Sequence, residues 1–425
     1  MKLNYKRTFL IGLAFMSISA FWQMYDNIIP LILQNSFGFK ETITGVLMAM
    51  DNVLALFLLP MFGALSDRTD TKIGRRMPFI LGGTALSVVF MMLLPVSDRV
   101  NSSKMFIVSL FALLVSMGTY RSPAVALMPD LTPNRFRSKA NAVINLMGAV
   151  GSIYSLVMIK LLVGKGTRPD YMPVFLSVAA VMAATVIFLF FTIPEIKTRN
   201  KVSEECRAAG EPFTADTEEE EAEKAAGGNK GRMEPAVRRS MVFLLASIFL
   251  WFFAYNAVTT AFSRYTKVVW KMEGGGFANC LLVAMITAVI CFIPIGIISG
   301  KIGRKKMILI GVTLMSASYF AGIFVGSYSP AVNILFAVIG IGWASINVNS
   351  YPMVVEMAKG SDIGKYTGTY YTFSMASQIA TPIVSGFLLE HVSYRTLFPY
   401  AFIFSVLAFV TMTQVHHGDI IAEKK

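Results

Sequence analysis

Charged residues make up 15% of this chain and apolar residues 55%, so a charge inside an apolar run is conspicuous. Asp26, Asp51 and Arg121 each interrupt a stretch otherwise free of Asp, Glu, Lys and Arg. Within a helix that crosses a lipid bilayer, each such charge costs roughly 2.5–3.5 kcal/mol, so it is retained for a reason. A carboxylate whose proton affinity depends on a movable guanidinium can take up and release a proton. A static ion pair that staples helices together is the other use of the same three residues. If each lies on a helix that spans the bilayer, the carboxylates and Arg121 differ by about 8 Å in depth, within reach of an arginine side chain.

A second group pairs aromatic rings with side-chain amides. Trp343, Asn347 and Tyr351 follow one another at i, i+4 and i+8, one stripe of a helix. Trp22 with Gln23, Tyr255 with Asn256, and Gln378 add further rings and amides. Such a lining suits a solute with an apolar ring face and a rim of hydroxyls, the chemistry of a sugar. Packing, interfacial belts and interhelical hydrogen bonds are the other common uses of these residues in membrane helices.

The elements that would hold these residues are legible as charge-poor runs. They cover residues 8–33, 42–66, 77–97, 105–129, 140–159, 171–194, 240–263, 274–300, 307–355 (broken in two by the Gly and Pro of 326–330), 366–389 and 396–418. That makes twelve predicted helices, each long enough to cross about 30 Å of hydrocarbon. Mean hydropathy is +0.60, and 15% charge is too little to cover a water-facing shell. No ten-residue alternation is visible, which excludes a transmembrane barrel. The first run follows Lys2, Lys6 and Arg7, but it is too long for a signal peptide's core and lacks a small-residue cleavage site. It reads as a retained first helix.

Of the 38 Lys and Arg, the segments on the side of the termini hold roughly three for each one on the opposite side. That bias places both termini in the cytoplasm of a multi-pass protein of the cell membrane. The net charge of +13 then reflects topology, because the basic residues are scattered over short loops and form no patch for nucleic acid. The only long hydrophilic stretch, 195–239, contains four consecutive glutamates and few large apolar residues. It reads as a cytoplasmic flexible linker between a six-helix half at 1–194 and another at 240–425.

The halves repeat. The segment from Gly63 through Asp67, Arg68, Gly74, Arg75 and Arg76 aligns with Gly296 through Gly300, Gly303 and Arg304 once residues 69–72 are removed. Pro123 and Pro352 keep the same offset. A duplicated six-helix unit in parallel orientation implies a pseudo-two-fold axis along the membrane normal. The glycines permit a tight reversal, and the charges of the loop can cap helix ends and pair across the halves, holding one face closed.

This loop resembles the signature of the major facilitator superfamily. Its expanded form at 67–78, together with Pro123–Asp130, is similar to the sucrose/proton symporters and, more distantly, the glycoside–pentoside–hexuronide:cation symporters. The resemblance implies an all-α membrane fold of twelve transmembrane helices in two pseudo-symmetric six-helix halves. It also implies a secondary active transporter rather than an enzyme, most simply a proton-coupled symporter of a disaccharide or glycoside working by alternating access. The gating motif would be Gly63, Asp67, Arg68, Gly74, Arg75, Arg76, Gly303 and Arg304. Proton coupling would fall to Asp26, Asp51 and Arg121, with sodium as the alternative ion. The other function classes are a drug or small-solute/proton antiporter and a receptor that does not transport.

No phosphate-binding loop is present, so no fused ATPase drives the chain. His391, His416 and His417 lack metal-ligand spacing, and the three cysteines form no C-x-x-C pair. The expected partners are therefore a small solute and the lipid bilayer, with no cofactor, no metal and no nucleic acid, in a protein acting as a monomer.

Overall fold

The computed structural model describes residues 3–133, 136–166, 168–208, 210, 213, 234–357 and 363–419, with residues 138, 363–365 and 367 described as backbone alone. Helices occupy nearly all of it, and no strand occurs among the described residues. They are α1 (Tyr5–Asn35), α2 (Glu41–Asp67), α3 (Met77–Arg99), α4 (Ser103–Asp130), α5 (Arg137–Leu162), α6 (Met172–Thr192) and α7 (Glu195–Ala208). After them come α8 (Pro235–Val268), α9 (Ala278–Ile302), α10 (Arg304–Ile323), α11 (Val332–Met357), α12 (Ile363–His391) and α13 (Leu397–Thr413). All but α7 lie in the 12 segments long and apolar enough to cross a membrane.

Local signals set the boundaries. A proline stands in the first turn of α3, α6 and α8, where its missing N–H has no helical partner to lose. Ser102 caps α4 by accepting from the Met105 N–H. Prolines also sit inside α1, α2, α3, α4, α9, α11 and α12. Membrane helices tolerate them because neighbouring groups satisfy the freed carbonyls. Only 22% of the most apolar window of α2 and of α9 is buried. Phe57, Phe191, Ile293 and Phe324 instead point outward, as a lipid-facing exterior requires.

The chain forms two compact units. The first comprises the described residues of Met1–Ile32, Val53–Gly164 and Arg168–Gly227; the second comprises those of Leu33–Asn52, Lys165–Thr167 and Gly228–Lys425. In the first, α3 packs on α4 and α6. In the second, α11 packs on α9 and α10, while α8 packs on α12 and α13. Ala288, Ile295, Met307 and Ala344 make a small apolar core among α9, α10 and α11.

The start of α2 belongs with the second unit, because its backbone lies directly on α12. A Cβ on Gly45 would fall 2.0 Å from the Pro382 carbonyl oxygen, and one on Gly386 would fall 2.6 Å from the Glu41 carbonyl oxygen. Glycine on both helices is what permits this approach.

The stretch 195–239 is helical at both ends. It opens with α7, whose Val202 and Cys206 are spaced i, i+4 and buried, and it closes on the first turn of α8. Charged but good helix formers, with an apolar pair on one face, supply a helix that composition alone does not show. The four glutamates of 218–221 lie outside the described residues.

Candidate functional site

The glycine–arginine loop joins α2 to α3 inside the first unit. Gly74 has φ +118°, which an L side chain rarely adopts, and a Cβ there would lie 2.2 Å from Glu195 Oε2. That carboxylate caps α3, accepting from the backbone N–H of Arg75 (2.9 Å), Arg76 (3.0 Å) and Met77 (2.9 Å). A negative charge at a helix N-terminus satisfies open donors and meets the positive end of the helix dipole. The two arginines reach past it to Asp130 at the end of α4, a residue 2% exposed. Arg75 binds it through Nε (3.0 Å) and Nη2 (2.6 Å), and Arg76 through Nε (2.8 Å). Arg76 also pairs with Asp67 and donates from Nη1 to Ser66 Oγ and, at 3.4 Å, to the Gly63 carbonyl.

Sequence reasoning expected these loop charges to pair across the halves. The contacts just described all lie within the first unit, and Arg68 is exposed. Asp130 and Glu195, which anchor the arginines, lie outside the motif that the sequence singles out. Asp130 ends the Pro123–Asp130 stretch and Glu195 follows Pro194 at the exit of α6, so each carries a faint signal.

The second copy repeats the device with different residues. Gly303 has φ +98° and opens α10, whose first N–H groups donate to Asp419: Arg304 at 2.6 Å and Lys305 at 3.3 Å. Asp419 follows α13 as Glu195 follows α6. Arg304 Nη1 meets the Pro352 carbonyl at 3.3 Å. Gly300 stands at the position of Asp67, and Lys305, at the position of Arg76, donates from Nζ to the Thr413 carbonyl at 2.9 Å.

Farther along the helices, the polar and aromatic residues gather in two places. In the first unit the Arg121 guanidinium lies 5.5 Å from the centre of the Trp22 ring, a cation–π contact between α4 and α1. Tyr25 stands edge-on to Trp22 at 5.3 Å. Trp22 Nε1 is buried without a hydrogen-bond partner among the described residues. Asp26 lies one turn beyond Trp22 and is half-buried, and the Gln23 carbonyl accepts from the Asn27 amide at 2.9 Å. Asp51 falls in the second unit, where Oδ1 accepts from the Asn52 N–H (2.6 Å) and side-chain amide (2.8 Å).

The second gathering is in the second unit. Tyr255 of α8 and Trp343 of α11 stack face to face, 3.7 Å apart and 3° from parallel. Phe252 meets the same indole edge-on at 5.3 Å. The Asn256 amide beside Tyr255 is buried with Nδ2 unpartnered among the described residues. Asn347 turns back to donate to the Trp343 carbonyl at 3.1 Å. Gln378 of α12 donates to Ser374, at 3.2 Å to Oγ and 3.3 Å to the carbonyl.

The stripe read from α11 divides. Trp343 belongs to the stack with Tyr255, whereas Tyr351, 37% exposed, joins Tyr370 at 5.4 Å and Tyr371 at 6.3 Å. Eight residues span about 12 Å of helix, so one stripe can serve two neighbourhoods. Among the described residues, no group of three or more His, Cys, Asp or Glu is placed to hold a metal ion.

Twelve apolar helices, a duplicated glycine–arginine loop and polar residues in mid-helix define a membrane carrier. The sequence matches the Major Facilitator Superfamily model over residues 11–293 and 276–417, and the chain belongs to that superfamily. It is similar to an uncharacterized MFS-type transporter, YddS, of Bacillus subtilis, with 23% identity over 86% of this chain and 81% of that one. It is also similar to sucrose transport protein SUT3 of Oryza sativa, with 26% identity over 31% of this chain and 30% of that one. The fold resembles a bacterial homologue of the human drug peptide transporters PepT1 and PepT2, with TM-score 0.69, 14% identity and 97% and 98% of the two chains covered. The nucleoside transporter NupG is similar too, with TM-score 0.68, 14% identity and 96% and 100% covered. At such identities the likeness is one of fold. The chain is a multi-pass membrane transporter of a small solute, not an enzyme.

Proposed function

We propose that this transporter is a proton-coupled symporter of a disaccharide or glycoside, working by alternating access as a monomer in the cell membrane with both termini cytoplasmic. The observation that carries the solute class is the Tyr255–Trp343 stack beside the unpartnered Asn256 amide. A flat aromatic wall meets the apolar face of a pyranose, and a buried donor without a partner awaits an oxygen acceptor. The partial similarity to sucrose transport protein SUT3 supports the same class.

For coupling, Asp26 or Asp51 takes up the proton. Arg121, which contacts Trp22 one helical turn before Asp26, favours the ionised carboxylate when it returns and so expels the proton. A nearby guanidinium disfavours a bound metal cation, which is why a proton is preferred over sodium. The arginine loop and its carboxylates would hold and release the face on which they lie.

The test is uptake of radiolabelled sucrose and maltose into proteoliposomes with an imposed proton gradient, an imposed sodium gradient, or neither. Accumulation driven by the proton gradient alone is expected. Sodium-driven accumulation reassigns the ion. Absence of sugar uptake, alongside uptake of a dipeptide, a nucleoside or a drug such as ethidium, overturns the sugar reading.

A further inference from the structure

The beginning of α2, at the end of the helix away from the arginine loop, carries a second ion pair that the transport site does not use. Glu41 is 4% exposed and Arg264 of α8 is 3% exposed. Arg264 Nε lies 2.9 Å from Glu41 Oε2 and 3.2 Å from Oε1, while its Nη1 donates to the Thr260 carbonyl at 3.0 Å. The Tyr394 hydroxyl, ahead of α13, donates to Glu41 Oε1 at 2.5 Å. One residue along, the Thr42 N–H donates to Glu390 Oε2 of α12 at 2.9 Å, and Lys40 stands 3.6 Å from the same carboxylate. The glycine contacts of Gly45 and Gly386 bring the two backbones together beneath these charges.

We propose that Glu41, Arg264 and Tyr394 form a lock that holds the first turns of α2 on α8 and α12, and that the lock opens and re-forms once in each transport cycle. The positive-inside bias assigns this end of α2 to the outer face, so the open lock would admit solute from outside. The argument is one of balance. An ion pair removed from water gains Coulomb energy but forfeits the hydration of both partners, and the two terms come close to cancelling. Closed, the pair is dry and saturated with hydrogen bonds; opened, each charge recovers water. Two states of similar free energy are what a reciprocating carrier needs, whereas an apolar seam of the same area would favour the closed state alone. Glycine on both helices lets them meet without interlocking side chains, so separation disturbs little packing.

The proposal is independent of the solute and the ion and rests only on alternating access. It is read as a distance rather than as transport, so its failure is distinct from failure of the sugar reading. Full-length protein is used, with Cys206, Cys280 and Cys291 replaced by serine. Nitroxide labels are placed at Ile43→Cys and Val392→Cys, positions 49% and 66% exposed. Their separation is measured by double electron–electron resonance in lipid nanodiscs. The parent should show mainly one short distance. Glu41→Gln leaves Arg264 buried and uncompensated when closed, so a longer distance should gain several-fold in population. Glu41→Gln with Arg264→Gln removes both charges and should return most of the short distance. Tyr394→Phe, which removes a single hydrogen bond, should shift the population the same way by less, and it decides the matter if Glu41→Gln does not fold. Glu390→Gln, at the neighbouring pair, should have the smaller effect of the two glutamate substitutions. A Glu41→Gln or Tyr394→Phe protein that melts earlier but keeps the parent distance distribution overturns the proposal and leaves a static staple.

Discussion

Asp130 compensates two guanidiniums at once, and this sets what its loss would do. Asp130→Asn leaves Arg75 and Arg76 in a buried site with one full negative charge fewer, a change of about 3–5 kcal/mol for a buried pair broken on one side. A fall of many degrees in the melting temperature in detergent is expected, followed by intrinsic tryptophan fluorescence. Asp67→Asn should melt close to the parent, because Arg76 keeps Asp130 and Asp67 is partly exposed. Its effect belongs to transport, where it should slow uptake more than Gly300→Asp, which removes no existing charge. At the aromatic wall, Tyr255→Leu should raise the sugar KM about two- to tenfold, the value of a lost aromatic contact, while Tyr255→Phe keeps the stack and most of the affinity. The sequence pointed to Tyr255 and Trp343 separately, each on its own helix. Their meeting was not legible, since nothing in one helix states which face its neighbour presents.

The elements differ in how far the sequence describes them. The twelve spans follow from charge-poor runs, because lipid enforces apolar length so strictly that the count survives any doubt over boundaries. α7 was not legible as a helix, since its net polarity masks two buried side chains one turn apart. The carboxylate caps were not legible either: Glu195 serves a helix that begins 118 positions earlier, a distance at which no local pattern speaks. The two glycines of the repeated loop allow a direct test of this element. Gly74→Ala would force a Cβ into the Glu195 carboxylate from a positive φ, and a loss of about 1–3 kcal/mol is expected from strain alone. Gly300→Ala sits in α9 with nothing within 4 Å of its Cβ. It should be neutral or stabilising by up to about 1 kcal/mol. Paired thermal melts check both, and equal destabilisation by the two would refute the capping account.

For the molecule as a whole, coupling separates movement from work. Asp26→Asn or Asp51→Asn, whichever removes the coupling carboxylate, should abolish uphill accumulation of sugar in proteoliposomes while sparing counterflow, which needs alternating access but no net proton transfer. If both variants still concentrate sugar against a gradient, the proton is carried elsewhere. Family and twelve-helix architecture were legible from the glycine–arginine loop and the hydropathy pattern, but the contacts at the start of α2 were not. The start of α2 is fixed within the second unit by glycine-to-backbone contacts and one buried ion pair, none of which a hydropathy pattern records.

The two carboxylate caps also say something about birth order. α3 leaves the ribosome with its first N–H groups open, and the residue that closes them arrives only after α6; α10 waits for Asp419 in the same way, 115 residues later. At 5–20 residues per second the wait lasts roughly ten seconds for each half. During it the base of α3 or α10 has only water and lipid headgroups to satisfy it. The starts of α3 and α10 are therefore each fastened by a residue made long after them, so a ribosome that stalls before Glu195 or Asp419 leaves helices inserted with that cap missing.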